Sequence, residues 1–314
     1  EITLWAEHLF KYGIKEIHYQ DKPIPIIWAI MNSGELCGCT YLRRQEVAGW
    51  YKLATPYGIF DSAAVIPGSK HDQLWVSVLR QIDGTNVRHI EKFMPVFGTE
   101  LDDWLDNATD LFVDNAADSD FSQGYYVPYD VIDIFTNTKG KSGYFLDAGI
   151  TLDIINPTTT ISGLWHLNGM SVYALVDGVV KGPHTVSNGK ITLAASTLAN
   201  AVVHVGLAYK GVLKMARVDI ILDDGTTKGS VRIVKSIKAQ IYGSALFKFG
   251  DSESNVKSAK FLQSDSGSYI LFTGDAIDSN FPGRHGRQGD IVIVQDTPLP
   301  LIIQSIVQEL EVST

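Results

Sequence analysis

The fold class follows from a series of short β-type runs, which read Trp28-Ala-Ile-Met-Asn-Ser-Gly-Glu-Leu-Cys-Gly-Cys-Thr-Tyr41, Glu46-Val-Ala-Gly-Trp-Tyr51, Ser62-Ala-Ala-Val-Ile66, Gln73-Leu-Trp-Val-Ser-Val-Leu79 and Asn86-Val-Arg-His-Ile-Glu91. Glycine, asparagine and aspartate separate them at about the 8–12-residue spacing that is typical of an all-β sandwich, barrel or propeller. Asn32-Ser-Gly34 and Asp83-Gly84 predict hairpin turns, because these residues accept a positive φ. We predict an all-β fold with a partial β-propeller-like body of antiparallel blades. A β-sandwich fits the pattern equally well.

Length and composition indicate a globular protein. The chain has 314 residues, of which 45% are hydrophobic and 19% are charged. These values allow two or three domains with real cores. The longest apolar runs fall far short of the roughly 20 residues that span a bilayer. The chain begins at Glu1 in the middle of a pattern, so we expect a fragment or a processed product.

The pattern divides the chain into four parts. Residues 1–97 form the first part of the β body, after a short helix within residues 1–12 and a strand at Ile14–Tyr19. Residues 98–143 are an Asp-rich insertion with a short helix at about 99–107. Residues 144–215 form an inserted β-barrel or sandwich. Residues 216–314 form the second part of the β body.

Strands are also predicted beyond residue 143, with hairpin turns at Asp177-Gly178 and Asn188-Gly189. Val218–Leu222 and Val231–Ile241 are predicted to pair as a hairpin around Asp223-Asp224-Gly225. The remaining predicted strands are Tyr144–Leu146, Thr159–Ile161, Ser171–Val176, Val179–Val180, His184–Val186, Lys190–Leu193, Ala201–Gly206, Ala245–Phe249, Ser268–Phe272, Ile291–Val294 and Leu301–Val312.

Candidate metal and thiol chemistry is sparse. Cys37 and Cys39 lie two residues apart on one predicted strand, where a bond between them would strain the backbone, so we expect free thiols. The loop Asp114–Asp120 is rich in oxygen ligands, but it lacks the glycine and closing glutamate of an EF-hand. Calcium binding and a solvated loop both stay open for it. Lys139–Gly143 is not a phosphate-binding loop, because the upstream glycine is missing.

Catalytic motifs are mostly absent. No Gly-x-Ser-x-Gly, His-Glu-x-x-His or dinucleotide fingerprint occurs. His166 and His204 lie in predicted strands, where a structural role is the better interpretation. Asp102-Asp103 and Asp223-Asp224 can be imagined as glycosidase carboxylates, but solvated turns or caps explain them better. We therefore predict no catalytic, cofactor-binding or metal-binding residues.

The charge balance bears on nucleic-acid binding. The net charge is −9, from 35 acidic and 26 basic residues. A dedicated nucleic-acid binder carries a basic stripe, and none is visible. An acidic surface still suits a channel through which DNA slides without sticking, because phosphates are repelled.

Several segments, taken together and in order, resemble one family. They are Ile26-Ile-Trp-Ala-Ile30, Leu42-Arg-Arg-Gln-Glu-Val-Ala-Gly-Trp50, Ser62-Ala-Ala-Val-Ile-Pro67, Asp72-Gln-Leu-Trp-Val-Ser-Val78, Asp83-Gly-Thr-Asn-Val-Arg-His-Ile-Glu91, Ile161-Ser-Gly-Leu-Trp-His-Leu-Asn-Gly-Met-Ser-Val172, Thr185-Val-Ser-Asn-Gly-Lys-Ile-Thr-Leu193, Val202-Val-His-Val-Gly-Leu-Ala-Tyr209, Phe272-Thr-Gly-Asp275 and Pro298-Leu-Pro300. The family is the tail nozzle proteins (tail tubular protein B, or DNA-stabilisation proteins) of short-tailed bacteriophages and related prophages. The resemblance covers most of the chain except about residues 98–143.

The resemblance implies a structural virion protein of a phage tail, made in the bacterial cytoplasm. It implies a propeller-like body with an inserted β-domain and a ring, expected to be a hexamer, around a DNA channel. The expected partners are further copies of the chain, the tail adaptor and portal proteins, and double-stranded DNA that passes without sequence recognition. No enzyme and no cofactor are implied. This chain resembles a C-terminal fragment of such a protein, because the start of the propeller is missing.

Two other functions remain open from the residues. Surface-capable aromatics and paired aspartates also fit a carbohydrate-binding or glycan-cleaving tail protein that recognises the host surface. A β-rich interaction module of cellular origin is the third interpretation.

Overall fold

The computed structural model describes residues 2–68, 71–93, 132–133, 145–193, 198, 201–217, 221–222, 225–226, 231–259, 270–278, 281–282 and 289–313. Over these residues the protein is all-β, which confirms the predicted fold class. Its sheets are antiparallel, and none of those described closes into a barrel. The helical elements described are the short 3₁₀ helices Leu4–Leu9, Arg43–Gln45 and Trp165–Leu167. The propeller arrangement itself stays a prediction.

Two sheets stack face to face in the N-terminal module, which we define as residues 2–93. The first is a four-stranded meander of β1 (Ile14–Gln20), β2 (Ile26–Met31), β3 (Leu36–Leu42) and β4 (Val47–Leu53). The second contains β5 (Gly58–Ile66), β6 (Gln73–Ile82) and β7 (Thr85–Lys92). Their shared core contains Trp28, Ile30, Leu36, Phe60, Leu74, Val76 and Val78.

Alternation explains why this stack forms. Along β6, Leu74, Val76 and Val78 are buried and recur every second residue, so this face of the strand is apolar from Leu74 to Val78. The turns at Gly34 and Gly84 take positive φ, as predicted, and close tight hairpins. The predicted helix within residues 1–12 is only the 3₁₀ helix Leu4–Leu9.

The middle module, residues 145–207, has an open four-stranded sheet in the order β12 (Val179–Thr185), β11 (Ser171–Val176), β14 (Ala201–Leu207), β9 (Asp147–Ile154). A two-stranded sheet of β10 (Thr160–Ser162) and β13 (Lys190–Thr192) shares its core. The barrel alternative is therefore wrong for the described residues of this module, whereas the packing of two sheets fits the sandwich alternative. The predicted turns at Asp177-Gly178 and Asn188-Gly189 are confirmed by their positive φ.

One strand prediction in the middle module is wrong, and two others merge. Tyr144–Leu146 is not a strand in its described part, because Phe145 and Leu146 precede β9. The predicted strands Val179–Val180 and His184–Val186 are parts of one strand, β12, which continues through Gly182-Pro183 and ends at Thr185. The proline is accommodated because β12 is an edge strand, and an edge strand tolerates the missing N–H.

The C-terminal module, residues 211–313, has two four-stranded sheets around a core that includes Phe247, Phe249, Phe281 and Ile293. One sheet has the order β15 (Gly211–Lys214), β22 (Val292–Gln295), β19 (Lys248–Ser252), β20 (Asn255–Ser258). The other has the order β23 (Ile303–Ser313), β18 (Val231–Ser244), β21 (Ile270–Asp278), β8 (Ile132–Asp133).

The predicted hairpin between Val218–Leu222 and Val231–Ile241 is wrong. β16 (Ile221–Leu222) pairs instead with β17 (Gly225–Thr226), and β18 pairs with β23 and β21. The Asp-Asp-Gly sequence does connect two paired segments, but they are only two residues long. The apolar alternation of β18 is matched by β23, which is distant in sequence and therefore invisible to a local pattern.

We predict that Gly34→Ala destabilises the protein more than Gly84→Ala. Both glycines have positive φ, +83° and +74°, which costs any L-residue roughly 1–2 kcal/mol. A Cβ at Gly34 would also lie 2.6 Å from the Ile59 Cβ on the facing sheet, whereas a Cβ at Gly84 meets nothing within 4 Å. We expect the extra loss to be about 1–3 kcal/mol in denaturant unfolding. Equal losses for the two variants would contradict the close approach between the sheets.

Candidate functional site

A fully buried arginine lies where the N-terminal and middle modules meet. Arg80 has 0% exposure and occupies the inward phase of β6, two residues after Val78. Its Nε and Nη2 donate to the two carboxylate oxygens of Glu91 at 2.8 and 2.7 Å. Its Nη2 also donates to Asp147 Oδ1 at 2.7 Å, and its Nη1 donates to the Pro56 carbonyl at 2.6 Å. Such bidentate, charge-assisted bonds are among the strongest polar contacts in proteins.

The second carboxylate links the two modules. Asp147 begins β9, and its Oδ2 accepts a hydrogen bond of 2.8 Å from the Thr55 hydroxyl. Burial raises the pKa of Asp147, and the Arg80 charge and the Thr55 hydrogen bond oppose that rise. The pKa of Arg80 lies above its ordinary value, because the hydrogen bond and charge of Glu91 and the charge of Asp147 outweigh the burial that would lower it. Both carboxylates are therefore committed to the guanidinium, which suits a structural junction better than proton transfer.

Two histidines border this junction. The His89 Nδ1 lies 3.6 Å from Glu91 Oε1, and its ring centroid is 6.0 Å from that of His166. The His166 Nε2 lies 2.9 Å from the Ala148 carbonyl oxygen, to which it donates. Burial lowers the pKa of His89, with the Arg80 and His166 charges acting in the same direction and Glu91 opposing them. The His89 ring therefore has a pKa below its ordinary value at the place where the two modules meet.

We predict that the free energy of unfolding falls as the pH drops below the ordinary histidine pKa of about 6.5. The folded protein binds fewer protons at His89 than the unfolded chain does, so His89 stabilises the fold above that pH, and this stability is lost as the pH falls through the lowered pKa. Denaturant unfolding at several pH values between about 7.5 and 5.5 measures the slope. His89→Gln should flatten it, whereas His8→Gln, at an exposed residue of the first 3₁₀ helix, should not. An unchanged slope in His89→Gln would contradict the prediction.

The two cysteines are free thiols, as predicted, and both are buried. Burial raises the pKa of Cys37 and of Cys39, so little reactive thiolate forms at neutral pH. Cys37 packs with Ala29 and Met31 in a small core cluster beneath the first sheet. Their role in the described structure is packing.

Of the two histidines that were predicted to lie in strands, the structure places one in a strand and the other in a 3₁₀ helix. His204 does lie in β14, where its Nδ1 is 2.8 Å from the Thr151 hydroxyl, in agreement with a structural role. His166 is instead part of the 3₁₀ helix Trp165–Leu167. The strand prediction for His166 is therefore wrong, because Gly163 and Gly169 with positive φ enclose this segment as a turn.

Several predicted features lie outside the described residues. They are the helix at about 99–107, Asp102-Asp103, Asp114–Asp120, Lys139–Gly143 and Asp223-Asp224. Within the part of the chain that the structure describes, no group of three or more His, Cys, Asp or Glu side chains is arranged to hold a metal ion. A search of the same residues finds no helix with the length and apolar character needed to cross a membrane.

The face of β5–β7 that points away from the shared core carries several large apolar side chains. Pairing and alternation place Ala64, Ile66, Trp75, Ser77, Leu79 and Ile90 on this outer face, together with the polar residues Gln73, Arg88 and Lys92. Ile90 is 67% exposed. The Ser77 hydroxyl is buried on this face and has no hydrogen-bond partner among the described residues. Apolar side chains exposed in this way on the face opposite to a core are suited to contact a further layer.

Sequence reasoning missed the Arg80 junction, although one signal for it was present. In β6 the charged residue Arg80 lies on the same side of the strand as the buried residues Leu74, Val76, Val78 and Ile82. A charge on a buried side of a strand requires a partner. Its partners Glu91 and Asp147 are 11 and 67 residues away. Compared with known proteins, the chain matches no protein-family model and no curated protein.

Proposed function

We propose that this protein is a structural virion protein of a phage tail and forms part of the nozzle that retains and ejects DNA. The observation that carries the proposal is the core shared by the meander β1–β4 and the second antiparallel sheet β5–β7, whose other face carries the apolar side chains of Ile66, Trp75 and Ile90. Consecutive propeller blades have this relation, because each blade must bury both faces against its neighbours. The ordered motifs that resemble tail nozzle proteins point to the same body.

The charge and the junction fit this role. A net charge of −9 reduces sticking of DNA phosphates to a channel wall. The Arg80 network ties the N-terminal and middle modules through buried charge-assisted bonds, as a scaffold under load requires. In this proposal copies of the chain form a ring, with a hexamer as the expected size, because head-to-tail contacts that close produce cyclic symmetry. The tail adaptor and portal proteins are its proposed neighbours, and the tail of the virion is its proposed location.

Electron microscopy of intact virions tests the proposal. An antibody to the purified chain, or density that fits the three modules, should locate the protein in a ring at the tip of the tail. Mass spectrometry of purified particles should find it at a multiple of the ring number. Density in the capsid shell, or absence of the protein from particles, would overturn the proposal.

A further inference from the structure

The middle module presents one tryptophan to solvent on a rigid support. Trp165 is 66% exposed and begins the 3₁₀ helix Trp165–Leu167. Its neighbours Leu164 and Leu167 are completely buried in the core of the middle module. The two leucines therefore anchor a turn that carries the indole outward. A large aromatic side chain that is exposed on an anchored turn calls for an explanation beyond packing.

One face of the indole rests on the turn at Asn188-Gly189. A Cβ at Gly189 would lie 2.5 Å from the indole ring, so the ring covers this glycine closely. The Leu164 N–H donates to the Gly189 carbonyl at 2.9 Å, and the Gly189 N–H donates to the Asn168 side-chain oxygen at 3.1 Å. The ring and the turn thus form one preorganised unit, which loses little conformational freedom when a ligand binds.

The exposed residues that flank the indole along the chain are polar. Ser162 lies just before the turn that carries Trp165, and Lys190 lies just after the turn at Asn188-Gly189. These two residues pair across β10 and β13, and both are exposed. Asn188 and Gly163 are exposed as well. The centre of a protein–protein interface is surrounded by further apolar side chains, and this local sequence and pairing provide none on the exposed side. A flat ring on a turn whose exposed neighbouring residues offer a hydroxyl, an amide and an ammonium instead matches a sugar, whose C–H face stacks on the ring and whose hydroxyls bind polar groups.

We propose that Trp165, with Ser162, Asn188 and Lys190, forms a saccharide-binding site on the middle module. The Lys190 ammonium favours a sugar that carries a carboxylate, because opposite charges attract at this exposed edge. Stacking on an aromatic ring beside a lysine also occurs with single-stranded nucleic acid. A site for single-stranded nucleic acid follows several phosphates with a positively charged groove, whereas the four residues of this site carry a single positive charge, so we favour the saccharide.

Binding of the purified full chain to an array of bacterial oligosaccharides tests the site. The array contains neutral hexoses, N-acetylhexosamines and uronic acids, and hits are titrated by tryptophan fluorescence. We expect a uronic-acid oligosaccharide to bind, Trp165→Ala to weaken binding at least about tenfold, and Trp165→Phe to keep part of it. Lys190→Met should weaken the uronic acid only. The matched control is Tyr57→Ala, which removes an equally exposed aromatic ring from the N-terminal module and should change nothing.

Three results would overturn the proposal. They are the absence of any hit on the array, binding that survives Trp165→Ala, and binding of an oligonucleotide of deoxythymidine that is lost in Trp165→Ala. Unfolding midpoints of the variants check that each remains folded, which we expect because the Trp165 side chain is mostly exposed. The proposed ring at the tail tip is tested separately, because electron microscopy of virions does not involve sugar binding.

Discussion

Arg80→Leu is expected to lower the free energy of unfolding by about 3–5 kcal/mol, because it leaves two carboxylates, each with a side chain only 19% exposed, without their counterion. Arg80 is completely buried and makes two ion pairs, with Glu91 and with Asp147, each at 2.7 Å. Leucine fills part of the volume but donates no hydrogen bond. The loss should appear in the unfolding of both modules, because Asp147 belongs to the middle module and Arg80 to the N-terminal module. Urea titrations followed by tryptophan fluorescence and by limited proteolysis measure it.

Arg88→Leu is the matched control for this experiment. Arg88 lies on the neighbouring strand β7 and pairs with Asp61 at 2.8 Å, but its side chain is 59% exposed. Exposed pairs contribute about 0–1 kcal/mol, so this variant should unfold almost as the native protein does. Adding Glu91→Gln and Asp147→Asn to Arg80→Leu should recover part of the stability, since the buried charges are then gone. Equal losses for Arg80→Leu and Arg88→Leu would contradict the junction.

Phe249→Ala is expected to cost about 3–5 kcal/mol in the C-terminal module. Phe249 is buried in β19, and its ring stacks on Phe281 at a centroid distance of 6.0 Å and an interplanar angle of 27°. Phe247 lies at 6.3 Å, and the Lys257 ammonium is 5.2 Å from the ring centroid. Alanine removes the ring around which these contacts are arranged. The cavity cannot be filled without moving strands, because β19 is held between β20 and β22.

The control for Phe249→Ala is Val212→Ala in β15 of the same sheet. Val212 is 45% exposed, so its truncation should change the unfolding free energy by only about 0.5 kcal/mol. Urea unfolding of both variants gives the comparison. A small loss in Phe249→Ala would mean that the aromatic cluster is not the core of this module.

Local patterns predicted most strands of the N-terminal module because each strand there pairs with a neighbour along the chain. The pairs β1–β2, β2–β3 and β3–β4 need only short turns, and glycine and asparagine mark those turns. The same reasoning failed for β18, since its partner β23 lies about seventy residues later. It also missed β9, although Ile150, Leu152 and Ile154 alternate there with the exposed polar residues Thr151 and Asp153.

For the candidate sites, residue type was informative and position was not. Arg80 alternates with buried residues along β6, and this position indicates that it needs a counterion. No spacing rule identifies Asp147, because that residue belongs to another module. Trp165 appears in the sequence analysis only as part of the motif Ile161–Val172. Its exposure depends on the burial of Leu164 and Leu167 on the opposite side of a 3₁₀ turn, and that burial depends on strands β11 and β14.

The amino-acid pattern alone establishes that this chain builds antiparallel sheets, since alternation and positive-φ turn residues act over a few neighbouring residues. Which sheets stack, which strand closes each sheet and which charge lies buried between modules depend on contacts between distant segments. Those contacts are selected by total burial and by the requirement that every buried charge be paired, so they exist only once the whole chain has folded.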